Sequence, residues 1–249
     1  MARPSEAVRT SVTQSATDFA VLPERGSPLG LASWARELAS VASVAVSPAR
    51  RPAPTLPRGD GRTVLLIPGF FGGDWTMVRL RGFLTRLGYG VEAAGIAVNL
   101  GPTAAILARL ESALLLLGRD HGPIDLVGQS LGGVFARELA RKHTAHVRSL
   151  VTLCTPIRFP VITPLAPLAR ALAPFHDAAW TARSGEVAEP LSVPVTALYS
   201  RDDGILDWRQ CLQDEGPLAR NICVSGPHST IGSNPQAQAA IARALASAA

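Results

Sequence analysis

The sequence predicts an α/β domain: a mostly parallel β-sheet covered by helices on both faces. Three observations predict it. Short, continuously apolar runs rich in β-branched residues recur, as in Thr63–Pro68 (TVLLIP), Val147–Leu153 and Val193–Tyr199 (VPVTALY); strands buried on both faces read this way. Segments with helical spacing of apolar residues separate those runs. Glycine and proline punctuate the junctions between them.

Taken in order, residues 1–29 are polar and irregular, with Pro23 and Pro28 as breakers. Residues 31–46 repeat Leu31, Trp34, Leu38, Val41 and Val44 at helical spacing, which predicts one amphipathic helix. Packing on the domain is its expected role, with self-association or a lipid surface as alternatives. The stretch 47–62 (SPARRPAPTLPRGDGR) holds four prolines and two glycines and reads as a linker or an extended wrap. Residues 1–61 are thus an N-terminal extension, and 62–249 the main domain. There the alternation runs strand 63–68, helix Met77–Leu87 stopped by Gly88, a weaker strand Gly90–Ala94, and helix Thr103–Leu117 after Gly101-Pro102. It continues with strand Ile124–Val127, helix Gly132–Lys142 and strand Val147–Leu153. Residues 156–191, rich in Pro, Ala and apolar side chains, break the rhythm. Strand 193–199, a short helical piece Trp208–Leu212, strand Asn221–Val224 and the Ala-rich helix Pro235–Ala248 complete it. In such folds ligands bind beyond the carboxyl ends of the strands.

A chain of 249 residues suits one large domain, with 47% hydrophobic and 17% charged residues, which excludes a disordered chain. The formal charge of +5 is carried almost wholly by arginine, Lys142 being the sole lysine. These arginines are spread over predicted helices, and the aromatics, 5% of residues, are not interleaved with them; a nucleic-acid partner is therefore not expected. Cys154, Cys211 and Cys223 form no C-x-x-C pair, so neither a zinc site nor a disulfide scaffold is expected. A Cys211–Cys223 bridge stays open; reduced thiols are the expectation. The apolar segment 31–46 is too short to span a bilayer and contains Arg36 and Glu37, and no apolar signal segment opens the chain. No stable membrane insertion and a cytoplasmic location are the corresponding expectations.

The chemistry is concentrated at Gly128-Gln129-Ser130-Leu131-Gly132, between the strand IDLV and a helix. A serine on so tight a turn needs small neighbours two residues to either side, which Gly128 and Gly132 provide. Its Oγ is pushed out above the sheet edge, and the amide of Leu131 points at a developing oxyanion. A nucleophilic serine needs a base, and the base an orienting acid. His228, in SGPHS just after the last strand, falls on the same edge as Ser130. His121, His143 and His146 fall at helix-to-strand turns on the opposite side, and His176 in the irregular segment is a weaker candidate. For the acid, Asp203 is favoured over its neighbour Asp202, with Asp207 third, because Ile205 and Leu206 would anchor the loop while the Asp203 carboxylate turns inward. The loop Pro68-Gly69-Phe70-Phe71-Gly72-Gly73 offers the amide of Phe70 as a second oxyanion donor. No phosphate-loop, dinucleotide or His-Glu-x-x-His pattern is present, and no metal or cofactor is expected.

Carried by LLIPGFFGG, LVGQSLGG, YSRDDGILDW and SGPHSTIG, residues 62–249 resemble the α/β-hydrolase superfamily, in particular its small bacterial esterase/lipase-like members. The resemblance implies Ser130 as nucleophile, Asp203 as acid and His228 as base, with Phe70 and Leu131 forming the oxyanion hole. It implies a minimal sheet of six strands, ordered 4-3-5-6-7-8 in the family's strand naming, and a cap at 156–191. Two departures stand out. Pro68-Gly69 replaces the His-Gly of many members, and Gln129 replaces the aromatic or histidine often found before the serine. The activity so implied is hydrolysis of a small-molecule or lipid-like carboxylic ester. Thioester hydrolysis, acyl transfer and non-catalytic ligand binding are the alternatives. Phe71, Gln129, Phe159 and Ile162 are expected to line the acyl pocket. Whether the cap walls that pocket or only packs on the core is open, as is a weak role for Arg158 and Arg170 toward an anion. The oligomeric state is not readable from the sequence.

Overall fold

Six short runs become strands, and their parallel order places Ser130, Asp203 and His228 beyond one edge. The computed structural model describes residues 31–46, 51–182 and 184–248. Residues 1–30 of the extension, 47–50 of the linker, and the side chains of Leu31, Trp34 and Val44 lie outside the described residues. Strands β1 (Thr63–Ile67), β2 (Gly90–Ala93), β3 (Ile124–Gln129), β4 (Val147–Leu153), β5 (Val195–Ser200) and β6 (Ala219–Val224) form a single sheet in the order β2-β1-β3-β4-β5-β6. All five pairings are parallel. This is the six-stranded order that the resemblance implied.

The side chains of β1 divide the core in two, as the two-residue period of a strand requires. Val64 and Leu66 pack with α2 (Val78–Arg86) and α7 (Pro235–Ser247), through Leu80, Phe83, Leu84, Ile241 and Leu245. Leu65 and Ile67 point to the other face, against α3 (Ala104–His121) and α4 (Leu131–Lys142), through Leu110, Leu114, Val134 and Phe135. Thr103 caps α3 by accepting the Ile106 amide, and Asn234 caps α7 by accepting those of Gln236 and Ala237.

The segment 156–191 folds into short pieces, α5 (Ala166–Leu172), α6 (Ala178–Ala182) and 3-10 turns. Trp180 of α6 is buried edge-on against Phe135 of α4, ring centres 5.3 Å apart. Arg137 of α4 is buried and clamps the segment's end. Its Nε donates to the Val187 carbonyl at 2.7 Å, one Nη to Glu189 O at 2.9 Å and the other to Gln213 Oε1 at 3.1 Å. Burial, with Arg141 nearby, pushes the pKa of this guanidinium down to about 10.

The described part of the linker is a wrap: the Gly59 amide donates to Leu87 O at 2.8 Å and Gly61 to Gly88 O at 2.9 Å. The helix over 31–46, α1 (Leu31–Val46), forms as expected, but its described side chains reverse the expected packing. Leu38 and Val41 are exposed, while Glu37 is 3% exposed. A carboxylate is buried there because three backbone amides meet it. Among the described residues no helix is long and apolar enough to cross a membrane.

Candidate active site

Ser130 stands between the last residue of β3 and the first of α4. Its backbone, at φ +52° and ψ −125°, lies where L-residues rarely go, a strain of roughly 1–3 kcal/mol that surrounding contacts must hold. The Ser130 amide donates to Leu153 O at 2.8 Å, and its carbonyl accepts from Gly133 at 2.9 Å. The flanking glycines are required by close approach. A Cβ on Gly128 would stand 2.5 Å from the Gly132 carbonyl oxygen, and one on Gly132 would run into the carbonyl oxygen of Ile67. The turn after β1 presses on the serine as well, since a Cβ on Gly69 would lie 3.0 Å from that of Ser130.

Farther along the same edge, past β4, Asp203 follows β5 and His228 follows β6. His228 Nδ1 lies 2.6 Å from Asp203 Oδ2. The other carboxylate oxygen accepts the amides of Ile205 and Leu206, each at 2.8 Å. The aspartate is thus fixed by the backbone of the residues expected to anchor its loop, and its free lone pairs face the imidazole. This arrangement selects the tautomer with the proton on Nδ1 and a lone pair on Nε2. Asp202 turns elsewhere: it is exposed and accepts the Gly226 amide at 2.9 Å. Asp207 caps the short turn Trp208–Cys211 through the Arg209 amide.

The main chain of His228 is gripped from both sides. Its carbonyl accepts from Gln129 Nε2 at 3.0 Å, and its amide donates to Glu37 Oε1 at 2.8 Å. Burial alone would lower the imidazole pKa. The charge of Asp203, its hydrogen bond and the charge of Glu37 outweigh that effect, so the pKa stands above the usual histidine value. Cys154 completes the surroundings, its Sγ within 4.8 Å of the ligating atoms of Asp203 and His228. Burial, then the Asp203 charge, pushes this thiol well above its usual range, so it stays neutral. Among the described residues this trio is the one grouping with metal-ligand reach. Its Asp and His atoms bond to each other, however, so the donor set reads as a hydrogen-bonded pair. Cys154, Cys211 and Cys223 are all free thiols.

A cavity opens beside the serine, lined by Ser130, Phe70, Leu131, Phe159, Val161 and Leu165 among others. Phe70 and Leu131, the two expected oxyanion donors, thus line the same cavity as Ser130. Of the four expected pocket residues only Phe159 lines this cavity. Gln129 is spent on the His228 carbonyl. Phe71 takes a left-handed backbone (φ +57°) that directs the turn, and Val161 replaces its neighbour Ile162 in the lining. The two readings of the cap each hold for part of it. Phe159, Val161 and Leu165 face the cavity, Trp180 packs on the core, and Leu168 and Phe175 are exposed. His176 lines the cavity and bonds Leu100 O at 3.1 Å. Arg158 is committed to Asp214 at 2.7 Å. His143 lies 2.7 Å from Glu111, away from this edge.

Sequence reasoning missed two residues. Asn99, fully buried, ties down the turn 68–72: its Nδ2 donates to Pro68 O at 2.9 Å, and its backbone exchanges bonds with Phe71 and Gly72 at 2.8 and 2.7 Å. An amide residue inside the apolar run IAVNL was its signal. Glu37 entered the sequence reading only as a charge within the segment 31–46.

The chain belongs to the alpha/beta hydrolase family, whose model matches residues 64–246. No curated protein sequence matches it. Solved structures share its fold at low identity. A structure described for LipS and LipT, two metagenome-derived lipolytic enzymes, aligns with a TM-score of 0.57 at 16% identity, over 82% of this chain and 98% of that one. The monoacylglycerol lipase of Paleococcus ferrophilus aligns at 0.56 and 16%, over 78% and 97%. The putative non-heme bromoperoxidase BpoC of Mycobacterium tuberculosis H37Rv aligns at 0.54 and 17%, over 77% and 94%.

Proposed function

We propose that this protein hydrolyses carboxylic esters with an apolar acyl group, by way of an acyl-enzyme on Ser130. The observation that carries this reading is the 2.6 Å contact of His228 Nδ1 with a backbone-anchored Asp203, on the same sheet edge as the strained Ser130. His228 Nε2 takes the Ser130 proton as Oγ attacks the ester carbonyl, and Asp203 stabilises the imidazolium that forms. The amides of Phe70 and Leu131 hold the oxyanion, a contribution of about 2.7–4 kcal/mol for each such donor. The proton passes to the leaving alcohol, and water, activated by the same imidazole, releases the acid. The apolar side chains of Phe159, Val161 and Leu165 beside the serine suit a hydrocarbon acyl group. Lipolytic enzymes and a monoacylglycerol lipase among the proteins of similar fold are in keeping with this substrate class.

The test is a panel of p-nitrophenyl esters of increasing acyl length, with a fluorophosphonate probe alongside. Wild type is expected to turn over the panel and to be labelled at Ser130. Ser130→Ala should lose both while keeping its circular dichroism. Turnover that survives in Ser130→Ala, or a wild type that is neither active nor labelled, overturns the reading.

A further inference from the structure

Resting on that reading, we propose that Glu37, delivered by helix α1 of the N-terminal extension, is a positioning residue that locks the loops of Asp203 and His228 together. Its Oε1 accepts the amides of Gly204 at 2.9 Å and His228 at 2.8 Å, and its Oε2 accepts the Ser229 amide at 2.8 Å. Gly204 is the residue after Asp203, so one carboxylate bridges the backbone beside the acid and the backbone of the base. The bridge holds the two side chains in register, and a misplacement of about 1 Å at a reacting group costs on the order of 10²-fold in rate.

The environment fits a clamp. Glu37 is 3% exposed, and the three N–H groups that converge on its carboxylate offset the cost of burying it. Glu37 precedes residues 64–246, the part of the chain that matches the family. The hydrolase core therefore borrows part of its support from the segment ahead of it.

The same carboxylate acts electrostatically on the imidazole. Among the described residues, the titratable groups facing His228 are Asp203 after β5, Cys154 after β4 and Glu37 on α1, while Asp202 bonds the Gly226 amide two residues ahead. Leu80 of α2 and Gln238 of α7, which meet the turn His228–Ser233 at Gly232, are uncharged. Glu37 is thus one of two buried carboxylates that favour the imidazolium, and its charge helps set the pH below which the base is protonated and idle.

The experiment compares full-length wild type, Glu37→Gln and Glu37→Asp. It measures kcat and KM on a p-nitrophenyl ester, the acid limb of kcat/KM, and the NMR titration of the His228 ring protons, assigned with His228→Gln. In wild type the acid limb is expected above about pH 6.5, the ordinary histidine value. Glu37→Gln removes the negative charge, so the limb and the His228 titration move to lower pH. Its kcat falls by up to about 10²-fold while KM stays near wild type. Glu37→Asp keeps the charge but shortens the reach, so it restores the limb and leaves kcat reduced. Wild-type kcat together with an unmoved His228 titration in Glu37→Gln overturns the proposal. Should Glu37→Gln precipitate, wild-type kcat in Glu37→Asp overturns it. If wild type has no esterase activity and Ser130 resists the fluorophosphonate, the functional reading fails. The NMR titration then decides the Glu37 clamp by itself, and an unmoved titration in Glu37→Gln overturns the clamp.

Discussion

Two buried aspartates stand at opposite ends of the sheet, and they are satisfied to different degrees. Asp203, beyond the carboxyl end of β5, has both oxygens engaged: one by two amides, the other by His228. Asp125, near the amino end of β3, accepts the Ser149 hydroxyl at 2.7 Å through one oxygen. Its other oxygen has no hydrogen-bond partner among the described residues, and Arg148 stands 3.7 Å away. Burial raises the Asp125 pKa, with the Ser149 hydrogen bond and the Arg148 charge opposing that rise. A buried carboxylate with one oxygen left without a hydrogen bond keeps part of its desolvation cost. One held by converging donors is fixed in direction, and direction is what a base-orienting acid has to supply.

The largest effect that would break this contrast is at Asp203. Asp203→Asn is expected to lower ester kcat by about 10⁴-fold, because the amide stabilises the wrong imidazole tautomer. Steady-state kinetics with circular dichroism separates this from unfolding, and a loss below tenfold would place the orienting acid elsewhere. A smaller effect on the same edge is expected from Asn99→Ala, which frees the turn carrying Phe70. There kcat should fall by up to about 10²-fold with Ser130 still labelled by the fluorophosphonate. An unchanged kcat would mean that Asn99 holds the turn without setting the oxyanion geometry.

The smallest effect is expected at the amino end, where Asp125→Asn should leave ester kcat at the wild-type level. Its signature is in stability. The folded-state pKa of Asp125 is raised, so the folded protein binds this proton more tightly than the unfolded chain does. Stability is then lost as pH rises from the ordinary aspartate range through the raised value. Asn cannot titrate, so the melting temperature of Asp125→Asn should gain on that of wild type across this window. A constant difference across that pH range, read by thermal melts, would show that Asp125 does not titrate with folding.

Ser130 and the sheet were legible because their signals are local. A glycine-flanked serine between a strand and a helix is one contiguous piece of chain, and the apolar runs report strands one at a time. His228 followed from the edge on which parallel strands must end. Asp203 was separable from Asp202 because the residues after it, Ile205 and Leu206, return to the core. The pocket was less legible. Which of Phe70 and Phe71, or Val161 and Ile162, faces the serine depends on backbone twists such as the left-handed Phe71. Glu37 was hidden for a different reason: its partner His228 lies 191 positions along the chain.

The sequence by itself determined the strand–helix alternation, the strained serine and the chemical types of its partners. Each of these follows from residues within a few positions of one another. Only the tertiary structure decided that Gln129 supports the histidine loop instead of lining the pocket, that Asn99 ties the turn 68–72, and that a carboxylate of the extension joins the loops of Asp203 and His228. Hydrogen bonds between distant segments leave no periodic trace in a sequence. They exist only once the sheet has brought its carboxyl ends together.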